Sequence, residues 1–168
     1  EYAWQGKRSI KIVTPGTNAY EGMYLTPKVS VSPSTRYTGS VYVRGAKGGE
    51  VINLYLEEKT SDNTHISFKF SGDITLTTRW QRIAITSPAS AGCRKLLIGV
   101  LSEDTNLATV YVDGLQLERG SSATVWTGDA VQNPGYTFTT PGTYTVTLRV
   151  TNAAGSNIMT RNGYIRVA

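Results

Sequence analysis

The sequence predicts an all-β protein, and three observations carry that expectation. Short runs alternate apolar and polar residues at strand period. No window repeats at helical period over a useful length. Seventeen glycines and six prolines fall between the apolar runs and read as turns. With many short strands so closely punctuated, residues 1–126 are most economically arranged as a two-sheet jelly roll. A chain of 168 residues can bury a sizeable core, as one large β-domain or two small ones.

The elements follow in chain order. Residues 7–13 (KRSIKIV) alternate, with Ile10 and Ile12 on one face, and stop at Pro15-Gly16. Residues 19–26 bring Tyr20 and Tyr24 and are followed by Pro27; Val29 and Val31 precede Ser32-Pro33-Ser34. In 36–44 (RYTGSVYVR), Tyr37, Gly39, Val41 and Val43 lie on one side and Thr38, Ser40, Tyr42 and Arg44 on the other. Ala46-Lys47-Gly48-Gly49 is a hairpin turn, because consecutive glycines supply the positive φ such turns require. Residues 51–59 pair back, Ser61-Asp62-Asn63 turns into 65–70, and Gly72-Asp73 turns again. In 79–86, Ile83 and Ile85 oppose Arg82, Ala84 and Thr86. Residues 94–101 (RKLLIGVL) are too continuously apolar for a half-exposed strand and are expected at the centre of a sheet. Residues 109–117 alternate through Val110, Val112, Leu115 and Leu117 across the Asp113-Gly114 step, and a further β-prone run is expected at Val125 and Trp126. This stretch is expected to be the last strand of one sandwich and the entrance to the next.

Composition narrows the function classes. The formal net charge is +5, but the basic residues are spread singly rather than massed with aromatics, which argues against a nucleic-acid partner. An acidic polysaccharide or an acidic protein lattice suits the charge better. No apolar run is long enough for a membrane span, so no membrane insertion is expected. The single cysteine, Cys93, cannot form an internal disulfide and reads as a small buried hydrophobe. The first residue is Glu1, not Met, and the expectation is a processed or trimmed product or a fragment.

Catalytic constellations are not found. The single histidine, His65, reads as a surface or edge-strand residue, and with one Cys and one His no Cys/His zinc cluster forms. Glu57 and Glu58 are strand neighbours, face opposite sides and cannot act as an acid–base pair. Glu103-Asp104-Thr105-Asn106 is a loop whose residues suit turn chemistry as well as a cation. The chain is expected not to be an enzyme.

Four segments, 6–16, 34–45, 77–86 and 110–124 (VYVDGLQLERGSSAT), together resemble the family 4/9-type carbohydrate-binding modules in order and spacing. The resemblance implies a jelly roll without catalysis, often with sugar binding, on secreted glycosidases, microbial surface proteins or virion proteins. The family's Asn- and Gly-rich opening strand has no match here. That strand often shares a structural calcium with an Asp that matches Asp113. An Asp-Gly step is more often a bend or bulge. No other cofactor is expected.

Residues 133–167 resemble the closing half of a PKD-type (polycystic-kidney-disease-type) immunoglobulin-like domain. The match runs through Asn133-Pro134, Tyr136-Thr137-Phe138, Pro141-Gly142-Thr143-Tyr144, the alternating Val146, Leu148 and Val150, and Asn152-Ala153-Ala154-Gly155. Trp126-Thr127-Gly128-Asp129 stands where that family has a longer segment. The resemblance implies that Tyr144 is a corner tyrosine whose hydroxyl ties down a loop. The expected organisation is therefore a jelly roll over 1–126 and a partial immunoglobulin-like β-domain over 127–168.

A sugar site requires exposed aromatic faces flanked by polar groups. The candidate contacts are Tyr20, Tyr42, Tyr55 and Arg44, with Tyr42 best placed for an open sheet face, Trp4 near the start of the chain as a further aromatic, and Tyr24 expected in the core. Two functions follow. One is a structural or adhesive subunit of a repeating assembly, at a virion surface, an extracellular filament or a surface layer. There the clipped domains are completed by strands from neighbouring copies, exchanged at 7–13 or 142–150. The other is a carbohydrate-binding module detached from a secreted glycoside hydrolase. Both place the chain outside the cell or on a particle surface.

Overall fold

The structure is a computed structural model that describes residues 3–6, 8–26, 28–102, 108–126, 140–152 and 155–167. Every regular element among them is a strand. The loop 103–106, the segment 127–129 and the stretch 133–138 lie outside the described residues. Contacts divide the chain into two units, Glu1–Val131 and Gln132–Ala168.

Among the described residues the first unit has ten strands: β1 (Ile10–Thr14), β2 (Glu21–Tyr24), β3 (Val29–Ser30), β4 (Arg36–Gly45), β5 (Val51–Lys59), β6 (His65–Phe70), β7 (Ile74–Thr75), β8 (Gln81–Pro88), β9 (Lys95–Ser102) and β10 (Ala108–Arg119). One antiparallel sheet runs β1-β10-β4-β8. The other runs β2-β9-β5-β6, with β3 also on β9 and β7 on β5. Alternation decides what each sheet buries. Val41 and Val43 of β4, Ile83 and Ile85 of β8, and Val110 and Val112 of β10 meet Ile52, Leu54 and Leu56 of β5 and Leu96, Ile98 and Val100 of β9 in one core. Burying such a side chain contributes about 1.5–3 kcal/mol, so this shared core holds the sandwich together.

β9 is central, as its apolar run predicts, and buried along nearly its whole length. Its alternate residues Leu97 and Leu101 lie on the outer face of the sheet, where they form a second buried cluster with Tyr55. The Asp113-Gly114 step is a bulge: the β10–β4 register shifts between Asp113 and Gln116, and Gly114 has a φ of 57°. The run expected at Val125 and Trp126 is not a strand. Side chains rather than a neighbouring strand satisfy Thr124 there: its N–H donates to Glu118 Oε1 (2.7 Å), and its carbonyl accepts from Arg82 Nη2 (2.5 Å). Cys93 is fully buried, and burial followed by the nearby Glu58 charge pushes its thiol pKa up, which keeps it unreactive.

In the second unit, β11 (Gly142–Asn152) and β12 (Gly155–Val167) pair antiparallel. The register sets Val146 opposite Arg161, Leu148 opposite Met159 and Val150 opposite Asn157. The Tyr144 hydroxyl donates to the Thr140 carbonyl (2.5 Å), tying the strand to the residues just before it. Ile158 and Met159 are exposed.

Candidate glycan-binding face

Strand register builds an aromatic row across the outer face of the β2-β9-β5-β6 sheet. Tyr24 pairs with Gly99, Gly99 with Tyr55, and Tyr55 with Phe70. Directly paired residues point to the same side, so these four positions form one line, about 14 Å long at ~4.8 Å per strand. A parallel line sets Leu97, Glu57 and Phe68 side by side, and a third sets Lys95, Lys59 and His65.

Gly99 leaves room for the Tyr55 ring within this row. A Cβ there would fall 2.5 Å from Tyr55 Cε1 and 2.5 Å from the Met23 carbonyl oxygen. The Tyr55 ring thus occupies the space a side chain at residue 99 would take, above the floor made by Leu97 and Leu101. Tyr55 is consequently 8% exposed, whereas Tyr24, Phe68 and Phe70 are 58%, 46% and 43% exposed. Phe68 meets Tyr55 edge-on at 5.9 Å, Phe70 lies 6.3 Å from Tyr55, and the two phenylalanines stack at 5.8 Å. Tyr55 is the buried support, and the other three present the open surface.

Polar groups flank the rings. Glu57 Oε1 accepts from Lys59 Nζ (2.5 Å) and lies 3.0 Å from His65 Nδ1, and the His65 ring sits 4.5 Å from Phe68. Among the described residues no hydrogen bond uses Glu57 Oε2. Asn53 Nδ2 donates to Asp73 Oδ1 (2.7 Å), and Lys95 Nζ donates to the Ser61 carbonyl (2.6 Å). Burial, then the charges of Glu57 and Tyr24, push the Tyr55 hydroxyl up to about 12. It therefore stays protonated, able to donate, across the physiological range. A pH titration of tyrosinate absorbance is expected to show one phenol ionising near pH 12. In a Tyr55→Phe variant that late step is expected to disappear, and its persistence would contradict this environment.

The sequence candidates do not converge on this face. Tyr42 and Arg44 lie on the outer face of the other sheet, β1-β10-β4-β8. Tyr42 is not an open platform: Trp4 stacks on it at 4.3 Å and 13° from parallel, and the Arg82 guanidinium lies 5.3 Å from its centroid. Arg44 stands 5.5 Å over Tyr111. Tyr20 is exposed, with φ of 67°, in a loop that Glu21 gathers by accepting from the Gly16 and Asn18 amides and the Thr17 hydroxyl. Only Tyr55 belongs to the aromatic row. Tyr24 corrects the expectation of a core residue, because Met23, not Tyr24, is its strand's inward position. Sequence reasoning misses Phe68 and Phe70. Their signal is an edge strand, HISFKF, that alternates Phe with Ser and Lys instead of ending its apolar pattern at the core.

Asp113 anchors the N-terminal segment. Its Oδ2 accepts from the Trp4 and Gln5 amides (2.9 and 3.2 Å), and Oδ1 accepts from Gly114 N–H (2.7 Å). Calcium takes six to eight oxygens, yet the donors around this carboxylate are amide hydrogens. Among the described residues no group of three or more His, Cys, Asp or Glu is placed to hold a metal. This set fits an anchor and does not fit a calcium shell. An Asp113→Ala variant is expected to lose about 1–3 kcal/mol of stability and to shift Trp fluorescence as Trp4 leaves Tyr42. Unchanged fluorescence would contradict the anchoring role.

No protein-family model matches the sequence, and no curated protein matches it. Solved structures do. The CBM22-1 xylan-binding domain of Xyn10C from Paenibacillus barcinonensis aligns with a TM-score of 0.57 and 21% identity, over 73% of this chain and 79% of that one. A CBM4 structure aligns with a TM-score of 0.51 and 14% identity, over 67% and 84%. The fold is the carbohydrate-binding-module jelly roll. At these identities the likeness speaks to the fold alone. A cyclase from Fischerella sp. TAU aligns as well, with a TM-score of 0.56 and 14% identity over 72% of this chain and 68% of that one. The jelly roll therefore does not decide between binding and catalysis, and the residues of the face must.

Proposed function

We propose that the first unit is a non-catalytic glycan-binding module that takes neutral polysaccharide on the outer face of the β2-β9-β5-β6 sheet. The observation that carries this reading is the row Tyr24, Tyr55 and Phe70, with Phe68 beside it. It is an apolar strip several sugar rings long, bordered by Glu57, His65 and Lys59. Aromatic faces suit the apolar faces of pyranose rings, and the bordering acceptors and donors suit their hydroxyls. Glu58 points into the core, and Asp73, the other carboxylate beside this face, is taken up by the Asn53 amide, so this reading favours binding over glycoside hydrolysis. The reading is of a module that works outside the cell, where structural polysaccharides are found.

Affinity electrophoresis in gels containing soluble neutral polysaccharides tests this. Retardation of the whole chain is expected, and Tyr24→Ala, Phe68→Ala and Phe70→Ala are each expected to weaken it by about fivefold to tenfold. EDTA is expected to leave it unchanged, because the proposed contact is made by aromatic rings and side-chain hydrogen bonds. Retardation insensitive to all three variants would overturn the assignment of the face.

A second reading is a subunit of an extracellular or particle-surface assembly, and the hairpin β11–β12 favours it. A two-stranded sheet is marginal alone, and strands from a neighbouring copy would complete it. Light scattering distinguishes the readings: a defined oligomer that dissociates when residues 142–167 are removed supports assembly, and a monomer at all concentrations contradicts it.

A further inference from the structure

We propose that Asn162-Gly163, in β12 of the second unit, is a spontaneous modification site where the asparagine deamidates through a cyclic imide. The inference stands apart from the glycan-binding reading. Asparagine is among the chemically labile residues, and of the asparagines in this chain only Asn162 precedes a glycine. Ring closure needs the next main-chain nitrogen to reach the side-chain amide. Glycine eases that approach, because it has no Cβ to crowd the nitrogen and its backbone turns freely.

The fold leaves this pair open to reaction. β11 pairs Tyr144 with Ile165 and Val146 with Arg161, so Thr145 alone faces residues 162–164. Asn162 and Gly163 therefore sit in a bulge, without register partners. Gly163 has a φ of 58°, and both residues are exposed. Among the described residues no hydrogen bond holds the Asn162 side-chain amide. Asn53, Asn63 and Asn18 are held instead. Asn53 is 1% exposed and donates to Asp73 (2.7 Å), Asn63 Oδ1 accepts from Lys95 Nζ (3.1 Å), and Asn18 Nδ2 donates to Thr17 Oγ1 (3.1 Å). Asp113-Gly114 has the same backbone pattern, but its carboxylate already accepts the Trp4, Gln5 and Gly114 amide hydrogens. An anionic carboxylate so engaged is a poor electrophile.

The reaction balances with water as its only co-reactant. The Gly163 nitrogen loses its proton to solvent base and bonds to Asn162 Cγ. The Cγ–Nδ2 bond breaks, and the amide nitrogen leaves as ammonia. Water then opens the imide. Cleavage of the new N–Cγ bond gives aspartate, and cleavage between the Gly163 nitrogen and the Asn162 carbonyl carbon gives isoaspartate. Nothing is oxidised or reduced. Either product places a carboxylate beside Arg161 in sequence and takes one unit from the formal net charge of +5. Isoaspartate also moves a methylene into the main chain, at a point where the ladder is already broken. The second unit thus carries a slow change of charge that needs no enzyme.

Ageing the whole chain in mildly alkaline buffer, followed by peptide mapping with mass spectrometry, tests this. Residue 162 is expected to be the first position converted, with isoaspartate among the products. In step with it, cation-exchange chromatography is expected to show a less basic form of the chain accumulating. The Asn162→Gln variant is expected to lose that form, because its closure needs a larger ring that forms more slowly. Asp113 is expected to stay unchanged. An intact Asn162 after ageing, earlier conversion of any other asparagine, or aspartate without isoaspartate would each overturn the proposal.

Discussion

A Gly99→Val variant is expected to lose neutral-glycan binding by about a hundredfold while the sandwich still folds. The ring of Tyr55 already fills the position of a residue-99 side chain, and the Met23 carbonyl closes the other approach. A Cβ therefore has to lift the ring and press on the β2 backbone together. Overpacking of this kind costs about 1–3 kcal/mol of stability, which a shared core drawn from both sheets can absorb. Binding is affected more, because Phe68 and Phe70 rest against Tyr55 and shift with it. Two lost aromatic contacts of about 1.4 kcal/mol each give the hundredfold figure. Gly99→Ala is the milder form and should lie between wild type and valine. Thermal unfolding run beside affinity electrophoresis checks the account. A melting temperature lowered with binding intact would show that Gly99 serves packing alone.

The largest effect on stability is expected at Glu58. This carboxylate is 1% exposed, and it accepts from the Ser90 amide (3.1 Å), the Ser90 hydroxyl and the Ser67 hydroxyl (2.9 Å). Burial alone would raise its pKa. The bonds from the Ser90 side chain and amide, then Ser67, then the charge of Lys69 overcome that, and the carboxyl titrates below its ordinary value. The folded state thus binds this proton less tightly than the unfolded state does. Its contribution is fully present above the unfolded carboxyl value of about 4.3 and is lost as pH falls through the lower folded one. Glu58→Ala strands three part-buried donors and is expected to cost about 3–5 kcal/mol. Glu58→Gln keeps an acceptor, costs less and removes this part of the acid dependence. Urea unfolding between neutral pH and about pH 3 measures both, and an unchanged acid slope in the Gln variant would contradict the assignment.

The sequence made some of this legible and hid the rest for physical reasons. Strand period is local, so Val41, Val43, Ile83, Ile85, Val110 and Val112 declared the core side of their strands. The continuous run 94–101 declared a central strand, and β9 is one. Opposite facing of Glu57 and Glu58 also followed from period two, and Glu58 proved to be the buried member. Register across strands is not local. Nothing near Tyr24 reveals that Gly99 and Tyr55 stand beside it, or that Tyr42 and Arg44 belong to the other sheet. Tyr42 does lie on an outward face, but Trp4, 38 positions earlier, covers it. Gly99 reads in sequence as a weak point within an apolar strand. Only the ring lying over it explains why a glycine stands there.

The central claim is that the outer face of β2-β9-β5-β6 binds neutral glycan, and a chemical-shift map with cellohexaose and xylohexaose tests it most directly. The account predicts that at least one of these sugars shifts resonances along Tyr24, Leu97, Gly99, Tyr55, Phe68 and Phe70, leaving Trp4, Tyr42 and Arg44 unmoved. Shifts confined to Trp4, Tyr42 and Arg44, or none with either sugar, would contradict it.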